Sequence, residues 1–299
     1  MPARFHHLFF PLLAALGLSL PAAAREPVAC GDGLTLQLSS TSPAQGSLVL
    51  VEVTSAAPLE SLTAEWAGQK LHFWREENPG AYRALLGVDL ERAPGAAPLT
   101  FQATLAGGSP QTCSVSAQVE DGKFSVERLT LPQAFVDLSP ADLARAQREG
   151  ARLREIFAQV TPERLWRGGF RPPLEPAEPT GRFGSRRILN DLPRAPHSGE
   201  DFSAPAGTLV HAPQRGRVAL ADELFFSGKT VVLDHGLGLF TFYAHLQSVA
   251  VKEGRTVEAG ALLGRVGATG RVTGAHLHWA ARLNQARVNP RDLLALLPD

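Results

Sequence analysis

Gly274-Ala275-His276-Leu277-His278-Trp279 sets two histidines on either side of one apolar residue, near the end of a 299-residue chain. Read as a β-strand, the stretch sends both imidazoles to one face and Leu277 to the other, because side chains alternate along a strand. Two imidazoles side by side make half of a metal site. Taken alone, the pattern favours a pair of surface histidines on a sheet edge, so the segments upstream decide.

Working outward, residues 229–234 form an apolar run, His235-Gly236-Leu237-Gly238 reads as a turn, and 239–245 returns as a second strand, which together predict a β-hairpin. Turns at Glu253-Gly254, at Ala259-Gly260 and over 267–274 cut the remainder into short strands. A compact, mostly antiparallel C-terminal domain over 181–299 is expected. Further upstream, short runs at 34–38, 48–54, 71–74, 99–105 and 114–119, separated by Gly, Pro and Ser, predict a small β-sandwich over 25–123. Between them, 124–180 reads as a linker with one amphipathic helix of about five turns. Ser139-Pro140-Ala141-Asp142 forms its capping box, and Leu143, Ala146, Leu153, Ile156 and Phe157 follow at helical spacing. The fold class is therefore mainly β: a sandwich-like N-terminal domain, a helical linker and an antiparallel C-terminal domain.

Composition narrows the function. Hydrophobic residues make up 44% and charged residues 19%, a balance that supports a buried core rather than disorder. The formal net charge is zero, so no electrostatic pull toward nucleic acid exists, and a nucleic-acid partner is not expected. Arg4, His6 and His7 precede an apolar run over 8–20 and then Pro21-Ala22-Ala23-Ala24, which reads as an export signal over 1–24. That run is short for a bilayer span, so no stable membrane anchor is expected after cleavage, and the mature protein is expected in the periplasm or outside the cell. Arg25 and Glu26 lie between the apolar run and Cys30, which argues against lipidation there. The two cysteines, Cys30 and Cys113, suggest one disulfide in an exported protein, with two buried thiols as the alternative.

Metal chemistry is better served by histidine. Six of the nine histidines lie between His197 and His278. A catalytic zinc site usually needs three protein ligands and one open position. His197-Ser198-Gly199-Glu200-Asp201 supplies a histidine and an aspartate with even separation, His245 ends an apolar strand, and His276 and His278 complete the set. Proline and glycine around 197–201 point to loop and extended structure there. His72, Trp66, Trp74 and Tyr82 in the N-terminal domain read as packing residues; the three aromatics as a sugar-binding face is the alternative. His211 is expected to face solvent, and His235 to serve the hairpin turn.

Gly181-Arg182-Phe183-Gly184-Ser185-Arg186-Arg187, H-x-G-x-D over 197–201, Tyr243-Ala244-His245-Leu246, and the run from Thr269 to Trp279 together resemble the lysostaphin-type zinc metallopeptidases, the LytM family. The resemblance covers roughly 170–295. It implies a zinc ion held by His197, Asp201 and His278, with His245 and His276 lining the site and taking part in catalysis. Spacing alone does not divide ligand from acid or base within H-x-H. No H-E-x-x-H occurs, so a histidine, His245 or His276, is to be considered for positioning or deprotonating the water. Two departures stand out: Glu200 where the family is often apolar, and Ala280 where many members carry glutamate.

The resemblance implies an exported zinc endopeptidase that cuts peptide cross-links of bacterial peptidoglycan, with stem peptides as partners. Cross-links containing D-amino acids are favoured over glycine bridges by analogy with longer two-domain members. The alternative is a non-catalytic or latent wall-binding or activator protein on the same fold, with intramolecular inhibition by the N-terminal domain as the route to latency. Other H-x-H zinc enzymes fit the upstream motifs poorly.

Overall fold

The structure is a computed structural model that describes residues 27–129, 138–175 and 179–298. The expected export signal lies outside the described residues. No helix among them is long and apolar enough to cross a membrane.

The first half forms two antiparallel sheets packed face to face. One runs Val28–Ala29, Leu34–Leu38, Leu48–Ser55, Ala81–Gly87, Trp74–Arg75; the other runs Gln69–Leu71, Leu59–Trp66, Gly95–Leu105, Pro110–Val119. Alternation sets which residues turn inward. Leu34, Leu36 and Leu38 join Val49, Val51 and Val53 from one sheet and meet Leu99, Phe101 and Ala103 from the other. The stretch 71–74, expected as one strand, is split. Leu71 ends a strand of the four-stranded sheet and Trp74 begins one of the five-stranded sheet, so the chain crosses the sandwich at His72-Phe73. Trp66 and Trp74 are buried, and Tyr82 is partly buried against the core, so these aromatics pack rather than present a sugar-binding face. Cys30 and Cys113 are disulfide-bonded, tying the start of this region to its last strand across 83 residues.

The expected helix spans Pro140–Phe157, with the Ser139 hydroxyl accepting from the Asp142 N–H at 3.1 Å. It is more than a connector. Ile156, with Leu153 and Phe157, packs on Leu220, Leu224, Val232 and Phe240, and so covers one face of the large sheet.

That sheet is antiparallel throughout, in the order Pro179–Gly181, Gly199–Ser203, His276–Leu283, Leu239–Val249, Gly228–Gly236, Gly216–Leu224, Thr256–Val257, with Leu262–Val266 and Leu209–His211 folded alongside and Ala286–Val288 paired to His276–Leu283. The expected hairpin is present as Gly228–Gly236 and Leu239–Val249. A small fourth sheet pairs Val126–Leu129 parallel to Arg186–Leu189.

The two halves share a core. Leu48, Trp74 and Leu85 from the sandwich pack with Trp166, Leu239, Leu283, Val288 and Leu293. Polar contacts lock the seam: the Leu48 N–H donates to the Asp292 carboxylate at 2.8 Å, and the Arg287 guanidinium donates to Asp89 at 2.6 and 3.1 Å. Burial pushes the Asp292 carboxyl upward in pKa, only partly offset by the Leu48 N–H.

His235 is fully buried at the hairpin, in a chain of hydrogen bonds that fixes its tautomer. Its Nδ1 lies 2.9 Å from the Arg215 carbonyl, which only accepts, so Nδ1 carries the proton and Nε2 accepts from the Thr241 hydroxyl at 2.7 Å. The Tyr243 hydroxyl then donates to Thr241 at 2.8 Å. Burial pushes the His235 pKa down to about 4, against the pull of the Arg215 carbonyl and the Asp234 charge.

Two predictions follow from this packing. Cys30→Ser with Cys113→Ser is expected to lower stability by roughly 2–5 kcal/mol, read from urea midpoints, because the crosslink constrains a long loop of the unfolded chain. His235 titrates near 6.5 when unfolded and near 4 when folded. Between those values the unfolded chain binds the extra proton, so stability is full above pH 6.5 and falls as pH drops toward 4, by up to about 3 kcal/mol. His235→Asn, compared with the wild-type chain in chelator, should flatten that part of the pH profile.

Candidate active site

Gly199–Ser203 pairs with His276–Leu283 in a register that puts Asp201 directly opposite His278 and Ser203 opposite His276. Opposed residues project from the same face, so the Asp201 and His278 side chains meet there, while Leu277 and Trp279 are fully buried on the other side. The strand expected from H-x-H is therefore observed, with the expected division of faces.

Three donor atoms converge. Asp201 Oδ1 lies 2.8 Å from His278 Nδ1, and His197 Nε2 lies 3.0 Å from each of them. His197 enters from the loop before the strand, held at both backbone groups: its N–H donates to Ser185 and its carbonyl accepts from Gly184. Its Nδ1 faces the Arg182 carbonyl at 3.1 Å, so Nδ1 carries the hydrogen and the Nε2 lone pair turns to the cluster. His197 is buried, and Asp201 and His278 are partly buried.

Burial favours the neutral form of Asp201, but its contacts with His197 and His278 outweigh it, and the carboxyl is held far below the usual range. The His278 pKa is lowered, chiefly by burial. A carboxylate and two imidazoles with lone pairs directed at one point form a donor set for a divalent metal. Tetrahedral ligands about 2.1 Å from an ion stand about 3.4 Å apart, so the cluster needs to open by only about half an ångström.

Two glycines make the approach possible. A Cβ on Gly199 would stand 2.7 Å from His278 Cε1, and one on Gly181 would stand 2.6 Å from Asp201 Oδ2. The glycine in H-x-G-x-D therefore leaves room for the His278 ring and the Trp279 carbonyl, a role its position in the sequence did not reveal.

His245 and His276 stand beside this cluster, ring centroids 4.7 Å apart. His245 Nδ1 faces the Thr269 carbonyl at 3.0 Å and His276 Nδ1 faces the Gly274 carbonyl at 3.0 Å. Both rings thus carry hydrogen on Nδ1 and leave Nε2 basic. His276 Nε2 lies 3.9 Å from Asp201 Oδ1. His245 has φ of 64°, a conformation uncommon outside glycine, and its N–H donates to the Ser227 carbonyl at 2.8 Å. Burial pushes its pKa down to about 4. Thr269, quoted in the sequence motif without a role, is what orients this ring.

The remaining sequence candidates lie elsewhere. His235 sits in its own buried network, His211 is half-buried on Leu209–His211, and neither joins the cluster. Glu200 is buried opposite Trp279, on the far side of the strand from Asp201, with its carboxyl pKa raised by burial. Ala280 is buried opposite Gly199, so no carboxylate supports His278 from that position.

Comparison with known proteins agrees with this geometry. Residues 195–290 match the profile described as Peptidase family M23. The chain is 39% identical over 111 residues to "Peptidoglycan DD-endopeptidase ShyA" of Vibrio cholerae, covering 37% of this chain and 26% of that one. It is 40% identical over 103 residues to "DD-carboxypeptidase/endopeptidase Mpg" of Neisseria meningitidis serogroup B, covering 34% and 24%. The chain thus spans about a quarter of the length of these curated relatives. A crystal structure from Pseudomonas aeruginosa, described as a peptidase M23, aligns with a TM-score of 0.65 and 32% identity over 84% of this chain and 95% of that one. With likeness over nearly the whole of that protein and a His-Asp-His cluster inside the matched region, the chain belongs to Peptidase family M23, to which the lysostaphin-type motifs point.

Proposed function

We propose that this chain is a zinc-dependent endopeptidase, exported to the periplasm or beyond, that hydrolyses the peptide cross-links of bacterial peptidoglycan. The observation that carries the reading is the convergence of His197 Nε2, Asp201 Oδ1 and His278 Nδ1 beside two further imidazoles with free basic nitrogens. The similarity to proteins named as peptidoglycan endopeptidases supports the substrate class. The catalytic unit we assign is 181–299.

His197, Asp201 and His278 would hold the metal, through two imidazoles and one carboxylate. Zinc bound there supplies Lewis acidity toward a carbonyl oxygen and toward water. His245 and His276 do the proton work. Each is locked through Nδ1 to a carbonyl and presents Nε2, which takes a proton from the attacking water and returns it to the leaving amine. Whichever ring is protonated also stabilises the developing oxyanion. No glutamate base is required.

Latency imposed by the N-terminal half is the alternative. The shared core means that cutting the chain between the halves would bare Leu239, Leu283, Val288 and Leu293, so its tests use the full mature chain.

Purified mature protein is expected to shorten cross-linked muropeptides, with mass spectrometry identifying the bond, and chelation is expected to abolish this. His278→Ala should lose zinc and activity together. His276→Ala should keep most of the zinc and lose about 10²- to 10⁴-fold in rate; equal zinc loss from both variants would overturn the division of roles. Gly199→Ala should weaken zinc binding by displacing His278, measured by competition with a chromogenic chelator.

A further inference from the structure

We propose that Arg271 determines specificity by binding a free carboxylate of the peptide substrate, against an aromatic wall made by Phe225 and Phe226. This rests on the peptidase reading above. The wall belongs to the loop between Gly216–Leu224 and Gly228–Gly236, and Arg271 to the loop before His276–Leu283. The two loops are joined where the Arg271 N–H donates to the Phe226 carbonyl at 2.9 Å. The Phe225 and Phe226 rings stand edge to face at 5.0 Å, and the Arg271 guanidinium lies 5.9 and 5.6 Å from their centroids.

The same two loops hold His245. Its N–H is bound by the carbonyl of Ser227, next to Phe226, and its Nδ1 by the carbonyl of Thr269, two residues before Arg271. The wall is thus built into the edge of the site.

Two guanidiniums approach Phe225, and they differ in one respect. Arg145, from the helix, is neutralised by Glu149 at 2.7 Å and donates to the Glu223 carbonyl at 3.0 Å. Arg271 is partly exposed and has no carboxylate or carbonyl partner for its side chain among the described residues. Phe226 is 49% exposed beside it. Glu149 also accepts from the Phe225 N–H at 2.7 Å, so the helix pins the wall from behind.

A guanidinium on aromatic faces is held in place and keeps its planar fork of N–H groups free, which matches a carboxylate in bidentate geometry. Peptides of the proposed substrate class carry such carboxylates at side chains and free termini. An exposed phenyl ring beside the fork adds apolar contact to the neighbouring backbone.

The test compares full-length mature wild type, Arg271→Gln and Arg271→Lys on one cross-linked muropeptide with free carboxylates and on its amidated counterpart, with zinc content measured for each protein. The proposal expects Arg271→Gln to raise KM on the free carboxylate form by about ten- to a hundredfold with little change in kcat. It also expects Arg271→Lys to recover part of this, and wild type to lose a similar factor on amidation that Arg271→Gln does not. An unchanged KM, or an equal loss on both substrates, overturns the carboxylate role while leaving the peptidase reading intact. Wild type that cuts neither substrate overturns both.

Discussion

The antiparallel pairing of Gly199–Ser203 with His276–Leu283 is the constraint on which the site depends. It brings together residues separated by 77 positions, and it does so through a register rather than a flexible contact. Leu277 and Trp279 hold that register from below, since a slip of one residue would send both fully buried side chains to the exposed face. The same pleat that buries them lifts His276 and His278 toward Asp201. Stability of the core and geometry of the donor set are therefore one requirement.

Around that pair the chain adds restraint in layers. His197 is fixed by three backbone contacts before its ring reaches the cluster, and His245 keeps a left-handed backbone conformation because the Ser227 and Thr269 carbonyls hold it. The helix and the sandwich brace the sheet further out, one through Leu153, Ile156 and Phe157, the other through a shared core sealed by Asp89, Arg287 and Asp292. The sandwich is joined to the sheet by buried apolar surface rather than by a linker alone.

Much of the site was legible in the sequence because its residues lie in short motifs with local meaning. H-x-H on a strand states which residues share a face, and H-x-G-x-D adds a second pair of candidate donors. The helix was legible too, through Ser139, Pro140 and Asp142. The other elements had no such local signature. Leu59–Trp66 alternates with Glu60, Thr63 and Glu65 toward solvent and offers no apolar run, and Ala81–Gly87 is poor in β-branched residues. The split of 71–74 between two sheets depends on where the chain crosses the sandwich, which local composition does not encode. The role of Gly199 became visible only once His278 stood across from it.

The sequence by itself determined a mainly β chain, the strand that bears two histidines, and the small set of residues able to serve a metal, because strand alternation, turn residues and ligand chemistry are properties of neighbours in the chain. Tertiary structure alone decided which donor atoms meet, which ring nitrogens remain basic, and that Arg271 lacks a carboxylate partner among the described residues where Arg145 has one. Those outcomes depend on sheet register and on carbonyls contributed by distant loops. Distances between groups far apart in sequence are set by packing of the whole, and no local pattern carries them.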